Sequence, residues 1–203
     1  MRKGALPRFL LLVFAWLFLS FIVWRVSAPF LVWPVTLLSH AFSAMFLSDL
    51  VNGVEQQGSA IIFLTSLRPA QATTTISASG LLTVEVDTLI YTFGLPLLAA
   101  LTLATRQPRS MRTLGLAYAV LLPLETWSVV AQFLKDVAIT AGPGVASQTG
   151  FSAWQREVIA FAYQFGALIL PTVGPAVVWV LAHRAFLERL SGRFAPRPAS
   201  RQA

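Results

Sequence analysis

The chain has 203 residues, of which 56% are hydrophobic and 11% charged, and its formal net charge is +7. Soluble domains carry about a quarter charged residues, so this composition indicates an integral membrane protein. The chain contains no cysteine, which excludes a thiol nucleophile, a disulfide framework and a thiolate metal site.

Most of the basic residues lie in three short clusters that flank apolar runs. The clusters are Arg2, Lys3 and Arg8; Arg106, Arg109 and Arg112; and Arg184, Arg189, Arg193, Arg197 and Arg201. Because cytoplasmic loops are enriched in Lys and Arg, all three clusters and both termini are predicted to face the cytoplasm. Basic residues in this arrangement orient spans and contact anionic lipid, and they do not form the stripe typical of a nucleic-acid interface.

Four apolar segments are predicted to cross the membrane. They are residues 9–26, 89–104, 114–134 and 158–181. The first resembles a secretory signal, but no good cleavage site follows it, so we interpret it as an uncleaved anchor. The fold class predicted is an α-helical polytopic membrane protein with about four transmembrane helices, an interfacial helix and a small outer β-hairpin or three-stranded sheet.

The apolar segment 31–47 is ambiguous. If it crossed the membrane, the basic cluster at 106–112 would lie outside, against the charge rule. An interfacial or re-entrant helix on the outer face keeps every later cluster inside, and we prefer it. The spanning alternative stays open.

Residues 48–88 are predicted to form a periplasmic β segment. Residues 58–67 and 81–86 are rich in β-branched or apolar residues, residues 73–77 are a third candidate strand, and turn residues separate them. Two or three short strands are marginal alone, so we expect them to pack on the 31–47 helix or on a partner.

Two further segments lie outside the spans. Residues 135–153 are predicted to be a periplasmic loop, in which Gly142, Pro143 and Gly144 form a flexible turn. Residues 183–203 are predicted to be a basic cytoplasmic tail, disordered after Phe194.

Glu125 is an acidic residue deep in the third predicted span. Burying a carboxylate there costs several kcal/mol unless it faces protein, is protonated or has a partner. Gln164, Tyr163 and Thr92 are predicted at similar depth, so an intramembrane polar cluster is plausible. It could be a proton relay or substrate site, but an interhelical polar clamp is the preferred interpretation.

Polar residues also concentrate at the predicted periplasmic ends of the spans, where they are candidates for an interaction surface. They are Asn52, Glu55, Gln56, Gln57, Glu85, Asp87, Trp154, Gln155, Arg156 and Glu157. Glu85 and Asp87 could do acid–base work or bind a cation, but interface ion pairs explain them equally well. No catalytic motif is recognisable, and the sequence predicts no catalytic residue, no metal site and no cofactor.

Four stretches together resemble the exosortase H-associated membrane protein family. They are LVNGVEQQG (50–58), LTVEVDTLIYTFGLPLLAAL (82–101), WSVVAQFLKDVA (127–138) and GFSAWQREVIAFAYQFGALILPTVGPAVVWVL (150–181). The resemblance implies a small protein of the bacterial inner membrane in Gram-negative species, encoded beside an exosortase and accessory to protein sorting. Its partners would be the exosortase or that enzyme's C-terminally anchored substrates, besides membrane lipid.

The general plan is also loosely similar to exosortases, which use a Cys, an Arg and a His at the outer ends of successive spans. This chain lacks the Cys, so no catalytic residue carries over. The resulting hypothesis is a non-catalytic accessory protein that docks the enzyme or its substrates at the periplasmic face. The alternatives are an intramembrane enzyme or small transporter that uses Glu125, and a generic membrane assembly scaffold.

Overall fold

The computed structural model describes residues 5–69, 80–106 and 110–191. Most of these residues are helical, and the one sheet among them has three antiparallel strands. The helical class and the small sheet predicted from the sequence are therefore confirmed.

The first helix, α1, spans Ala5–Phe46 and runs unbroken for 42 residues, or about 63 Å. The sequence predicted two helices here, 9–26 and 31–47, and that separation is wrong. Pro29 and Pro34 lie inside the helix although each lacks the N–H that an interior helical residue donates. The placement of 31–47 on the membrane surface stays a prediction.

Side chains from other elements bond to α1 beside its prolines. Gln56 donates from Nε2 to the Pro29 carbonyl at 2.7 Å, and the Tyr118 hydroxyl donates to the Leu31 carbonyl at 2.7 Å. Neither carbonyl is one that a proline leaves without its helical donor, since Pro29 and Pro34 free the carbonyls of Arg25 and Phe30. The two bonds instead hold α1 to neighbouring segments beside its prolines. Such packing is absent from local propensity, which explains why the sequence predicted a break.

The sheet is built in chain order from β1 (Val51–Gln57), β2 (Ala60–Thr65) and β3 (Thr83–Asp87). Gln57 pairs with Ala60 across a two-residue loop whose first residue is Gly58, with a φ of 61°. A glycine with positive φ at the first position is what a type II′ hairpin requires.

The sequence prediction located two of the three strands. β2 lies within the predicted strand 58–67, and β3 overlaps 81–86, whereas β1 was taken for a segment without a strand. The candidate strand 73–77 lies outside the described residues.

The buried face of the sheet packs on two helices. Ile61 and Phe63 of β2 are fully buried, and Phe63 stacks on Phe133 of α4 (Ser110–Lys135) with ring centroids 4.3 Å apart. Val32 and Val35 of α1 complete the same core. The expectation that the strands pack on the 31–47 helix is therefore met, and burial there supplies the stability that three short strands lack alone.

A short apolar helical segment follows the sheet directly. It consists of α2 (Leu89–Thr92) and α3 (Gly94–Ala104), and α3 packs against α1, α4 and α7 (Leu170–Ala182). Together they measure about 24 Å, which is shorter than the bilayer's hydrocarbon core of about 30 Å. The predicted span 89–104 is therefore a short buried helix, and it is not confirmed as a transmembrane helix.

Three stretches of the described chain are long and apolar enough to cross a membrane: Pro7–Phe46, Ser110–Thr140 and Ala153–Ala182. They contain the predicted spans 9–26, 114–134 and 158–181. The predicted count of four spans is thus supported for three.

The third predicted span is α4 (Ser110–Lys135), which continues into a π-helical turn at Asp136–Thr140. A short helix, α5 (Pro143–Gln148), follows it, with Pro143 in its first turn after Gly142, whose φ is 89°. The predicted loop 135–153 is thus largely helical. The proline fits there because the first turn of a helix needs no N–H from it.

The last predicted span is α6 (Ala153–Gln164), a π-helical turn (Phe165–Ile169) and α7 (Leu170–Ala182). The π-helical turn directly precedes the segment that holds Pro171 and Pro175, where the sequence predicted a kink. A final helix, α8 (Arg184–Ser191), occupies the start of the predicted tail. The disorder predicted after Phe194 falls outside the described residues.

The N-terminus of α1 lies beside the C-terminus of α7, at the end of the bundle opposite the sheet. Phe9 stacks on Trp179, with ring centroids 6.1 Å apart, and also contacts Phe186 of α8. Arg8 and Arg106 line one pocket at this end. The described members of the basic clusters thus collect at the end away from the sheet.

Candidate functional site

The predicted site residues fall into three separate places in the structure. One is the exposed sheet face, which we define by Glu55, Gln57, Ile62, Glu85 and Asp87. The second is the start of α6, and the third is a pocket around Glu125. The structure does not bring these places together.

Acidic side chains dominate the exposed sheet face. The strand register aligns Glu55 with Ile62 and Ile62 with Glu85, and it aligns Gln57 with Ala60 and Ala60 with Asp87. Two strand spacings separate Glu55 from Glu85 by about 10 Å. The three carboxylates are exposed, and none of them is in an ion pair within the described part of the chain.

Two of the predicted interaction residues on the strands have structural partners. Asp87 accepts a bond at Oδ1 from the Leu89 N–H at 3.0 Å and so fixes the junction between β3 and α2. Gln56 points to the other face of the sheet, where it bonds to the Pro29 and Gly58 carbonyls and to the Thr36 hydroxyl. These bonds tie β1 to α1 and leave Gln56 unavailable to a partner.

Asn52 lies at an irregularity of the sheet. The register between β1 and β2 shifts between Val51 and Gly53, so Asn52 has no partner residue on β2 and is exposed. A β-bulge of this kind re-aims side chains at a sheet edge.

The second group borders a groove away from the sheet. Trp154, Arg156 and Glu157 are exposed, and the two charged residues line an open groove of about 660 Å³ between the π-helical turn after α4, α5 and α6. Gln155 forms a capping box with Ser152, so its side chain serves the helix terminus.

Glu125 lines a small pocket where α3, α4 and α7 meet. The pocket holds about 10 Å³, the lower limit for one water molecule, and its other walls include Gly94, Ser128 and Pro171. Glu125 is buried, and its Oε2 has no hydrogen-bond partner among the described residues. The pocket is too small for a peptide or an organic substrate.

The intramembrane cluster predicted around Glu125 does not form as hydrogen bonds. Thr92 accepts from Trp24 Nε1 at 3.3 Å and donates to the Thr88 carbonyl, while Gln164 is exposed. Tyr163 lies under the Lys135 ammonium, 4.8 Å from the ring centroid. Similar depth along a span does not specify which face of a helix a residue occupies, and this is why the sequence grouped these residues.

A different polar chain connects α2, α4 and α6. The Tyr91 hydroxyl donates to Gln132 Oε1 at 2.6 Å, Gln132 Nε2 donates to Asp136 at 2.7 Å, and Asp136 pairs with Lys135. Through Lys135 the chain reaches Tyr163. Sequence reasoning missed it, although Gln132 and Asp136 stand at the i, i+4 spacing that places two side chains together on a helix.

Within the described ranges, no group of three or more His, Cys, Asp or Glu is arranged to hold a metal ion. His40 is exposed on α1, and His183 is buried and stacks on Trp179.

The long apolar helices and the small sheet packed on them define a multi-helix membrane protein with an accessory β element. A comparison with known families matches residues 3–186 to the exosortase H-associated membrane proteins. The chain belongs to this family, as the sequence resemblance implied. Comparisons with curated proteins and with solved structures gave no match.

Proposed function

We propose that this protein is a non-catalytic accessory subunit of an exosortase-type sorting system in the bacterial inner membrane. It docks the sorting enzyme or its anchored substrates at the periplasmic side, with the sheet as the docking element. Family membership supports the association with an exosortase. The exposed sheet face supports the docking role, and it is the observation on which the proposal rests.

The architecture suits a docking platform. One face of the sheet is locked into the core by Ile61, Phe63 and Val86, so the opposite face is held rigidly. That face carries Glu55, Glu85 and Asp87, with Ile62 half-buried between the two glutamates. A partner that complements it has a basic surface, because complementary charge steers and aligns protein partners.

The experiment is co-purification of the neighbouring exosortase with the tagged protein from detergent-solubilised membranes. The variant is Glu85→Lys, since Glu85 is exposed and its side chain has no hydrogen bond to the residues that the structure describes, whereas Asp87 holds the β3–α2 junction. We expect recovery of the exosortase to fall about tenfold, as reversal of a complementary charge costs on the order of 1.4 kcal/mol.

Asp49→Lys is the matched control. Asp49 is an exposed acid in the turn between α1 and β1, outside the exposed sheet face, so the same charge reversal there should leave recovery unchanged. Equal recovery from the Glu85→Lys variant and the wild type would remove the sheet from the docking model. Equal losses from both variants would indicate a nonspecific effect of charge.

Glu125 supports a second candidate function, that of an intramembrane enzyme or small transporter. The observation in its favour is the buried carboxylate oxygen without a partner. Isolated acids inside a membrane commonly mark proton or ion pathways.

A further inference from the structure

A groove runs along the membrane-spanning surface between α1, α3 and α4. Its volume is about 510 Å³, and apolar side chains form nearly all of its wall, among them Leu19, Val23, Leu95 and Leu103. A groove of this size on a transmembrane surface is in contact with the hydrocarbon of the bilayer.

Two of the wall residues with polar tips, Trp24 and Tyr118, direct those tips into the protein. Trp24 Nε1 donates to the Thr92 hydroxyl at 3.3 Å, and the Tyr118 hydroxyl donates to the Leu31 carbonyl at 2.7 Å. The groove therefore offers a ligand hydrocarbon contact along most of its length.

A basic pocket of about 520 Å³ adjoins the groove at the end away from the sheet. Arg8, Leu11 and Leu12 of α1 and Arg106 after α3 line it. Neither arginine is in an ion pair within the described part of the chain. Guanidinium groups without an ion-pair partner can bind a phosphate, which Arg recognises through paired N–H donors.

The two cavities are neighbours along α1 and at the end of α3. Leu12 of the basic pocket is one turn from Trp16 of the groove, and Arg106 is three residues from Leu103. The combination has an anion-binding end and a hydrocarbon-binding length, and these are the two parts of a phospholipid.

Arg106, at the same end of the bundle, has an unusual backbone conformation. Its φ is 49°, and it is the one residue other than glycine with positive φ in the described ranges. Gly or Asn usually takes this left-handed position after a helix, because a longer side chain is strained there. An arginine kept in a strained position is a reason to look for a ligand of its side chain.

We propose that this combined cavity binds one anionic phospholipid. The headgroup phosphate lies between Arg8 and Arg106, and an acyl chain lies in the groove between α1, α3 and α4. A transmembrane helix of a partner would use the apolar groove but has no need of a phosphate-binding end. The proposal is independent of the docking function of the sheet.

The test is native mass spectrometry of the detergent-purified protein with an equimolar mixture of phosphatidylglycerol and phosphatidylcholine of identical acyl chains. The wild type should retain phosphatidylglycerol in preference to phosphatidylcholine. The Arg8→Gln/Arg106→Gln variant should lose about 30-fold of that preference, which corresponds to about fivefold for each basic residue near an anionic lipid surface.

Two further variants separate the headgroup from the acyl chain. Arg112→Gln/Arg184→Gln removes the same charge outside the pocket and should keep the preference. Gly115→Leu fills the groove, since Gly115 lines it and an added Cβ meets nothing within 4 Å. The Gly115→Leu variant should bind both lipids more weakly. Its binding of inorganic phosphate should stay at the wild-type level.

Three results would overturn the proposal. One is an equal affinity of the wild type for the two lipids, and another is an equal loss of preference in the two arginine double variants. The third is retention of phosphatidylglycerol by the Gly115→Leu variant at the wild-type level, which would mean that no acyl chain lies in the groove. Circular dichroism of each variant confirms that it is folded.

Discussion

Glu125 is the one acidic residue in the described part of the chain that has a buried side-chain oxygen without a hydrogen-bond partner. Its side chain is buried at the crossing of three helices, and Oε2 has no partner. The nearby Ser128 hydroxyl lies 3.0 Å from both the Leu124 and the Gly166 carbonyl oxygens, so its one proton is engaged by these acceptors. The interpretation of Glu125 as one arm of an interhelical clamp to Gln164 therefore has no hydrogen bond to support it.

This geometry leads to a prediction for two substitutions. Glu125→Gln keeps the size of the side chain, and we expect it to preserve both protein abundance and exosortase recovery. Gln164→Ala should change the unfolding free energy by less than the value of about 0.6–2 kcal/mol typical of an interhelical hydrogen bond. Both are measured by thermal unfolding in detergent and by co-purification.

The Glu125→Gln variant also separates the two candidate functions. If sorting or transport in cells disappears while abundance and partner recovery are normal, Glu125 has a chemical role. That result would support the second candidate function, an intramembrane enzyme or small transporter. Normal sorting by the Glu125→Gln variant would indicate that Glu125 has only a structural role.

At the residue scale, the sequence indicates which side chains are polar and deep but not which partners they find. Glu125 was correctly expected to be buried, whereas Tyr163 lies against Lys135 and Gln164 is exposed. Partners depend on the rotation of each helix about its axis. Neighbouring helices set that rotation, and hydropathy carries little information about it.

At the scale of elements, the tightest helix crossing joins α3 to α7. A Cβ added at Gly94 would stand 2.3 Å from the Pro171 carbonyl oxygen and 2.4 Å from Pro175 Cγ. The Pro171 carbonyl also lacks its usual helical donor, because residue 175 is a proline. Small residues at such crossings allow the close backbone approach on which membrane helices rely.

Gly94→Ala is therefore expected to destabilise the protein by about 1–3 kcal/mol, the usual cost of forcing extra atoms into a packed interface. Gly115→Ala is the matched control, since an added Cβ there meets no atom within 4 Å and alanine favours the helix. The midpoints of thermal unfolding in detergent give the comparison. Equal midpoints for the two variants would mean that α3 and α7 do not approach as closely as described.

The sequence correctly predicted those helices and strands whose local residue pattern is strong. β2 and β3 are rich in β-branched and apolar residues and were recognised, as were the long apolar helices. β1 has the sequence VNGVEQQ, whose glycine and glutamines have low strand propensity, and it is a strand because it pairs with β2. The continuity of α1 was missed because proline predicts a break wherever tertiary contacts are ignored.

At the scale of the whole molecule, charge is separated between the two ends of the bundle. Arg8 and Arg106 share a pocket at one end, while Glu55, Glu85 and Asp87 lie on the sheet at the other. The sequence predicted this separation from the three basic clusters alone. It could not predict that α3 would be short and enclosed by α1, α4 and α7, because hydropathy does not distinguish a buried apolar helix from a lipid-exposed one.

Docking at the periplasmic side requires that the exposed sheet face lies in the periplasm while the arginine-rich end lies in the cytoplasm. Because the chain has no cysteine, single thiols can be introduced without background. Gln57→Cys places a thiol on the exposed sheet face, and Arg112→Cys places one at the exposed start of α4.

The decisive measurement is labelling of these two variants in intact spheroplasts with a membrane-impermeant maleimide. We expect the thiol at position 57 to react at once, whereas the thiol at position 112 should react only after the membrane is permeabilised. The reverse pattern would place the sheet in the cytoplasm and contradict docking at the periplasmic side.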